Sequence, residues 1–494
     1  MNKYDLIIIG GGAGAFAAAI RANELKAKTL LVNAGLPLGG TCVNVGCVPS
    51  KTLLWAGEVM HQAKNHGIPG VELELKSFDF KKVVQDELHL VERLRTEKYE
   101  KVLKNLEHVT FLKGKAEFGT PNEITLNRPA FAEAAPFAEV ATEAESAGKQ
   151  KFSGEKFVIA AGSTANIPSI EGIQGVGYIT HIEALKLKKQ PKELIVVGAG
   201  PVGLEFAQMY SRFGTKVTIL EYGPSIFGPG EPELISKLSE ILESEGITIY
   251  TGAKATKARM ERGKKVLTFQ RDGKENEVSA DEILLAAGKT PNTKGLMLKK
   301  ANVTVDEKQA IVVNQFFLTS NPSIFAVGDT TNLPLRLETT AGKEGTLAAE
   351  NALLRQGSGG QTLKSIDYNA VPYTIFTDPQ YASVGFTEDK QMKETGVCTC
   401  RTVSFRDVPK AIVLNRTEGL IKMGIDPKTK QILGVHILAP NAGDLIAQAM
   451  ILIKNKNTID DVINSMPVFP TLSEALKIVA LSFTRDISKL SCCI

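Results

Sequence analysis

Gly39-Gly40-Thr41-Cys42-Val43-Asn44-Val45-Gly46-Cys47-Val48-Pro49-Ser50-Lys51 is the stretch whose reading decides the fold. Two cysteines five positions apart in a glycine-rich turn can close a small reducible ring. In a regular helix such positions lie roughly 8 to 9 Å apart, beyond the span of a disulfide, so the segment is expected to be irregular, with Gly46 permitting the break. Pro49 suits a first helical turn, and Leu53, Leu54, Ala56, Val59, Met60 and Ala63 follow at helical spacing until Gly67 offers a stop. Cys47 is thus expected just before a helix N-terminus, where the peptide dipoles and Lys51 favour the thiolate, the reactive form of the side chain. The alternatives are a structural disulfide, uncommon in a cytosolic chain, or a zinc site, which needs further ligands nearby.

The whole chain sets the bounds around this segment. Its 494 residues suffice for several domains, and 43% hydrophobic with 23% charged residues is ordinary for a globular protein. The net charge of +4 comes from scattered lysines, which argues against a nucleic-acid or membrane partner and for small-molecule partners. No apolar run approaches the length of a membrane span, and residues 1–14 lack the pattern of a signal peptide, so a cytoplasmic location is expected. In that compartment the six cysteines are expected to be catalytic or metal-binding rather than stapling.

Two dinucleotide fingerprints flank the reading. Residues 4–9 form an apolar β run entering Gly10-Gly11-Gly12-Ala13-Gly14-Ala15, followed by a helix at 16–25 and a strand at 29–32. Gly10 makes the tight turn, Gly12 admits a pyrophosphate and Ala15 lets helix and strand approach. The position closing the second strand is Asn33 instead of an acid, and its amide oxygen can still accept from a ribose hydroxyl. The second fingerprint is complete: residues 194–197 feed Gly198-Ala199-Gly200-Pro201-Val202-Gly203, then a helix at 204–213, a strand at 216–220 and Glu221, placed to accept both hydroxyls of an adenine ribose. Residues 78–106 read as a long solvated helix without chemistry, 111–118 as a β segment, and the Ala/Glu-rich 129–150 as an inserted loop or short helix.

The thirteen residues of the cysteine segment resemble the active-site segment of the flavoprotein disulfide reductases, the group containing dihydrolipoamide dehydrogenase, glutathione reductase and mercuric reductase. The resemblance implies an α/β fold with two Rossmann-type nucleotide-binding domains, for FAD and NAD(P), and an α+β C-terminal dimerisation domain. The expected boundaries are 1–164 for the FAD domain, 165–288 for the NAD(P) domain, 289–360 for a part completing the FAD site, and 361–494 for the dimer interface. It further implies that Cys47 faces the flavin as the charge-transfer thiolate, that Cys42 exchanges with substrate, and that Asp329, after the strand at 323–327, holds the ribitol chain. Gly162 and Gly288 mark crossings between the nucleotide domains. The nucleotide-binding positions carried over are Gly10, Gly12, Ala15, Asn33, Gly40, Thr41, Lys51, Gly162, Asp329, Gly198, Gly200, Gly203, Glu221 and Gly288.

The tail separates the branches of the family. Dihydrolipoamide dehydrogenase and glutathione reductase place a His-Pro unit and a Glu here, whereas this chain reads Val468-Phe469-Pro470-Thr471-Leu472-Ser473-Glu474; Phe469 cannot move a proton, and Glu474 lacks its imidazole partner. The chain closes with Cys492-Cys493-Ile494. Adjacent α-carbons lie closer than a relaxed disulfide prefers, so the pair presents two soft sulfurs suited to a soft metal ion. Together these features resemble the mercuric reductases, which implies a homodimer that reduces Hg(II) with NAD(P)H, metal passing from Cys492 and Cys493 to Cys42 and Cys47. Thr471 replaces the tyrosine common there, and the chain starts at its first Rossmann strand, so the tail is expected to collect metal unaided. Cys398 and Cys400, two apart, are expected to share a strand face in a structural role. Two other readings stay open: a dihydrolipoamide dehydrogenase-like dithiol oxidoreductase using another base, and a thiol-rich metal sequestrant that does not turn over.

Overall fold

A computed structural model describes residues 2–128, 148–354 and 362–491. The chain divides into two compact units: residues 1–49, 85–166 and 289–368 form the first, and 50–84, 167–288 and 369–494 the second.

The first unit is built on a sheet whose parallel strands run Val109–Lys113, Thr29–Asn33, Asn2–Ile9 and Gly148–Ile159, continued by the antiparallel Glu123–Arg128 and Lys115–Thr120. Ile324–Ala326 also pairs, in parallel, with Gly148–Ile159. The unbroken apolar run of the first strand is explained by burial on both sides, as in parallel sheets covered on two faces. Leu6 and Ile8 belong to one core with Leu31 and Val158, and Ile7 and Ile9 to another with Leu30, Val32, Phe157 and Ile159. Each such side chain contributes about 1.5–3 kcal/mol on burial.

Helix Ala13–Glu24 packs against Glu338–Leu353 through small residues. A Cβ placed on Gly345 would lie 2.0 Å from the carbonyl oxygen of Gly14, so the two helix backbones approach as closely as they do only because position 345 carries no side chain.

The second unit holds a parallel four-stranded sheet in the order Thr248–Tyr250, Lys216–Leu220, Glu193–Val197, Glu282–Leu285, with a three-stranded antiparallel sheet over Lys254–Glu261, Lys264–Arg271 and Lys274–Ala280. Its last part is a five-stranded antiparallel sheet ordered Tyr373–Ile375, Gln380–Gly385, Ile432–Ala439, Leu420–Ile425, Thr399–Ser404. Helices Ala442–Lys454 and Glu474–Leu481 share a core with this sheet.

Two expectations need correction, and one strand is new. The expected insertion lies mostly outside the described residues, but residues 148–150 begin the long strand Gly148–Ile159, pairing with Leu126, Asn127 and Arg128. The expected long helix at 78–106 is Phe80–Arg95 followed by a π-helical turn, Thr96–Glu100, and the short helix Lys101–Lys104. Gln380–Gly385 is a strand that no clear hydrophobic alternation announced; its order comes from pairing with Tyr373–Ile375 and Ile432–Ala439. Among the described residues no helix is long and apolar enough to cross a membrane.

Replacing Gly345 by Ala is expected to destabilise the protein by about 1–3 kcal/mol through forced separation of the two helices. Gly342→Ala on the same helix, where a Cβ meets nothing within 4 Å, should instead be neutral or stabilise by up to ~1 kcal/mol. Thermal unfolding of both variants checks this; equal melting temperatures would show that the close approach is dispensable.

Candidate active site

The cysteine segment forms two helices with a break between them. Gly40–Val45 is a short helix, Gly46 departs from helical geometry at φ −133° and ψ −114°, and Cys47–Asn65 begins a helix of 19 residues with Cys47 as its first member. The irregularity is thus confined to one glycine, where a Cβ would sit 2.8 Å from the Thr41 carbonyl oxygen. Cys42 is half-buried and Cys47 exposed, and both are thiols here.

The electrostatics distinguish the two sulfurs. A hydrogen bond to Cys47, burial, and the negative charges of Cys47 and Glu338 push the Cys42 thiol far above its ordinary range. Cys42 is thus disfavoured as the thiolate, whereas Cys47 opens its helix, the place where peptide dipoles favour one. Tyr99 is pushed up to about 12, chiefly by burial and then by Cys42, Glu338 and Cys47. Lys51 does not offer an unopposed charge: its Nζ lies 2.7 Å from the buried Glu205 carboxylate and 4.6 Å from the centre of the Phe376 ring.

Residues that sequence reasoning passed over hold this loop. Asn44 donates from Nδ2 to the carbonyls of Pro37, Leu38 and Gly40 at 3.2, 3.0 and 2.8 Å, and its Oδ1 accepts from Arg95 at 3.3 Å. A buried amide inside a run of valines was the signal available for it. Arg95 and Tyr99 come from the segment expected to carry no chemistry; Tyr99 stands edge-on to Phe16 and fills the space beside Gly39.

The first fingerprint has the form of a phosphate cradle. Gly10 has φ +138°, and a Cβ there would lie 2.1 Å from the Ala160 carbonyl oxygen. Helix Ala13–Glu24 starts at Gly12 without a side-chain cap, and Gly40 comes so near Gly12 that a Cβ on it would sit 2.6 Å from the Gly12 α-carbon. Uncapped N–H groups beside two bare glycines suit an anionic pyrophosphate. Ala15 is fully buried, as a close helix–strand contact requires. Asn33 packs over Gly11 and donates from Nδ2 to the Leu36 carbonyl at 2.9 Å, which turns its oxygen into the acceptor role. Asp329, on the turn Gly328–Thr330, accepts from Ser163 Oγ at 2.7 Å. That turn is held by the buried Glu344, which accepts from Gly328 N at 2.7 Å and Tyr368 Oη at 2.8 Å and which burial pushes above its ordinary range. These residues fit FAD.

The second fingerprint repeats the device. Gly198 has φ +105° and faces the Ala286 carbonyl, Gly203 touches Gly198, and helix Pro201–Arg212 starts at Gly200 without a side-chain cap. Glu221 accepts from Ala199 N and Gly223 N, each at 2.6 Å, which fixes its carboxylate at the end of the strand. Gly162 and Gly288, at φ +69° and +92°, directly precede the paired strands Ser163–Ala165 and Lys289–Pro291.

In the tail, Phe469 is 46% exposed and Val468 77%. Glu474 is buried at the start of helix Glu474–Leu481 and accepts from Thr471 N at 2.9 Å, while Thr471 Oγ1 donates to the Val468 carbonyl. Cys492 and Cys493 lie outside the described residues. Cys398 and Cys400 are joined as a disulfide, which fits the structural role expected of this pair and departs from the general expectation that the cysteines do not staple; only Cys400 lies in the strand Thr399–Ser404, so the two do not share a strand face.

Because the Glu338 charge helps to raise Cys42, Glu338→Gln should lower the pH at which the second thiol of the reduced protein becomes reactive. Alkylation rates measured against pH check it: the Cys42 limb should move to lower pH while the Cys47 limb stays. An unmoved profile would remove Glu338 from the site.

Comparison with known proteins agrees with this geometry. Residues 4–351 match the family described as pyridine nucleotide-disulphide oxidoreductase, and residues 371–480 match its dimerisation domain. The chain is 35% identical to a mercuric reductase of Staphylococcus aureus over 493 residues, covering 100% of this chain and 84% of that protein. It is 37% identical to one of Streptomyces lividans over 99% of this chain and 98% of that one. It is also 37% identical to a dihydrolipoyl dehydrogenase of Thermus scotoductus over 96% of both. Among solved structures, the HOCl-induced flavoprotein disulfide reductase RclA of Escherichia coli superposes with a TM-score of 0.81 at 25% identity, covering 98% of this chain and 100% of that one. With two nucleotide cradles and a full-length match, the chain belongs to the pyridine nucleotide-disulphide oxidoreductases, as an FAD- and NAD(P)H-dependent oxidoreductase.

Proposed function

We propose that this enzyme reduces Hg(II) to Hg(0) as a homodimer, with Cys42 and Cys47 holding the metal during electron transfer and Cys492 and Cys493 delivering it. The observation that carries the reading is Phe469: in the place where the resemblance to dihydrolipoamide dehydrogenase and glutathione reductase implies a histidine, the chain presents an exposed phenyl ring that cannot carry a proton. Reduction of a thiolate-held metal needs no such base, since Hg(II) and two electrons from NAD(P)H give Hg(0) and NAD(P)+ with one proton released. The mercuric reductases among its relatives, matched over the whole chain, support the same conclusion.

The chain's residues divide the work. FAD, when bound, carries the two electrons between the nicotinamide and the thiol-held metal. Gly10, Gly12, Ala15, Asn33, Gly40, Thr41, Gly162 and Asp329 hold its phosphates, ribose and ribitol; Gly198, Gly200, Gly203, Glu221 and Gly288 hold the nicotinamide nucleotide. Cys47 supplies a thiolate at the start of its helix, and Cys42, which retains its proton, loses it on binding the metal. Lys51, engaged by Glu205, helps fix the helix that carries Cys47. Glu474 acts as a backbone acceptor that shapes the Phe469–Pro470–Thr471 turn. The similarity to a dihydrolipoyl dehydrogenase favours a second reading, dithiol oxidation with another base; strong dihydrolipoamide turnover would select it.

Changing Cys492 and Cys493 to Ser should leave FAD content and flavin reduction by NADH intact while Hg(II)-dependent NAD(P)H oxidation falls roughly tenfold or more when the metal arrives with excess thiol, because tethered sulfurs outcompete ligands in solution. Weakly held complexes such as the bromide should be less affected. Unchanged turnover under excess thiol would end the delivery role.

The fixed Glu221 carboxylate opposes a 2′-phosphate, so kcat/KM for NADH should exceed that for NADPH by about tenfold, equivalent to ~1.4 kcal/mol. Glu221→Gln should narrow the ratio. A clear NADPH preference in the parent enzyme would show that other residues outweigh this charge.

A further inference from the structure

The bridge between Cys398 and Cys400 is a poor staple. It joins residues two apart, so it removes little entropy from the unfolded chain, and the stabilisation a disulfide gives that way is small for so short a loop. Its surroundings are more elaborate than a staple needs. Cys400 pairs across the sheet with Gly424, and a Cβ on Gly424 would sit 2.6 Å from Gln391 Oε1 and 3.5 Å from Cys400 Sγ, so this position is vacant for the sake of those two groups. Gln391 is 1% exposed; its Nε2 donates to the Ile425 carbonyl at 2.7 Å, which turns Oε1 toward both sulfurs, at 3.8 and 3.7 Å. A disulfide has no proton to give this buried oxygen, whereas two thiols have.

The third neighbour is a carboxylate. Ligand atoms of Glu388, Cys398 and Cys400 all lie within 4.8 Å of one another. Glu388 Oε2 pairs with Lys422, an ammonium 3% exposed that also faces Glu231 at 3.0 Å and Glu233 at 3.6 Å. Three carboxylates around one ammonium leave the surroundings negative, and a carboxylate has a second oxygen to offer. Two thiolates and one carboxylate oxygen make a donor set for a soft divalent cation.

We propose that Cys398, Cys400 and Glu388 form a second thiol site, separate from the catalytic pair, that opens on reduction and binds one thiophilic divalent cation. Opening consumes two equivalents of a small monothiol: the Cys398–Cys400 bond breaks, both sulfurs take up protons, and the monothiol leaves as its own disulfide. The cation then displaces the two thiol protons, forms two metal–sulfur bonds and takes one oxygen of Glu388. That small disulfide can reverse the step: the Cys398–Cys400 bond re-forms, the small disulfide takes up two electrons and two protons to return as two monothiols, and the cation is released, so metal capture at this site depends on the thiol-disulfide balance of the surroundings.

The test uses FAD-loaded protein in which Cys42, Cys47, Cys492 and Cys493 are changed to Ser, which leaves the two sulfurs at 398 and 400 among the six of the chain. After reduction with 2-mercaptoethanol and its anaerobic removal, thiol titration confirms two thiols and Cd(II) is added, with sulfur-to-cadmium absorption and equilibrium dialysis as readouts. The expected result is one Cd(II) per chain with two protons released, no comparable binding to the oxidised protein, and about tenfold weaker binding in Glu388→Gln. Absence of saturable binding by the verified dithiol would overturn the site. An unchanged affinity in Glu388→Gln would overturn the mixed donor set. Since this protein lacks the catalytic and tail cysteines, the outcome is independent of whether the enzyme turns over Hg(II).

Discussion

The van der Waals limit between a glycine and a carbonyl oxygen underlies both nucleotide cradles. The Ala160 oxygen occupies the space that a Cβ of Gly10 would need, and the Ala286 oxygen does the same to Gly198. Each contact pins the end of one strand beside its neighbour and directs the chain into a helix whose first N–H groups have no side-chain cap. Any side chain at these positions would push strand and turn apart, and the following helix would lose its aim. The same limit governs Gly345 against Gly14, which seats helix Glu338–Leu353 in the first unit and with it Glu344, the anchor of the Asp329 turn.

On that rigid frame the cysteine pair is differentiated by position alone. Cys47 opens a long helix and is exposed, whereas Cys42 lies in the preceding short helix, partly buried, with Glu338 acting on it. These surroundings favour a proton on Cys42, and the helix start favours a thiolate at Cys47. Asn44, between them in sequence, donates its amide to three backbone carbonyls and so ties the glycine turn to the short helix. Lys51, expected from the sequence to favour the thiolate, is tied to Glu205.

The sheet of the second unit carries chemistry of a different kind. Its core is apolar, yet Lys422 and His436 are buried there beside Glu231. Burial holds His436 below its ordinary range, so it is kept neutral between Ser383 and the Phe386 carbonyl. This arrangement orders the strand pair Leu420–Ile425 and Ile432–Ala439, and at its margin Glu388 and Gln391 surround the Cys398–Cys400 bridge.

By itself the sequence determined the fold class, both fingerprints and the paired-cysteine segment, because each depends on a local spacing or on a residue type without substitute. Glycines that must approach a backbone, or cysteines that must meet, leave their spacing in the chain. Tertiary structure alone decided which groups act on them. Glu338, Arg95 and Tyr99 reach the cysteine segment from far along the sequence, Glu344 reaches the Asp329 turn, and Glu205 takes up the charge of Lys51. Glu388 and Gln391 likewise become neighbours of Cys398 and Cys400 only once the sheet places Gly424 beside them. The physical reason is that charge and desolvation act through space: a carboxylate shifts a thiol according to its distance and burial, and neither is written in the spacing of residues along the chain.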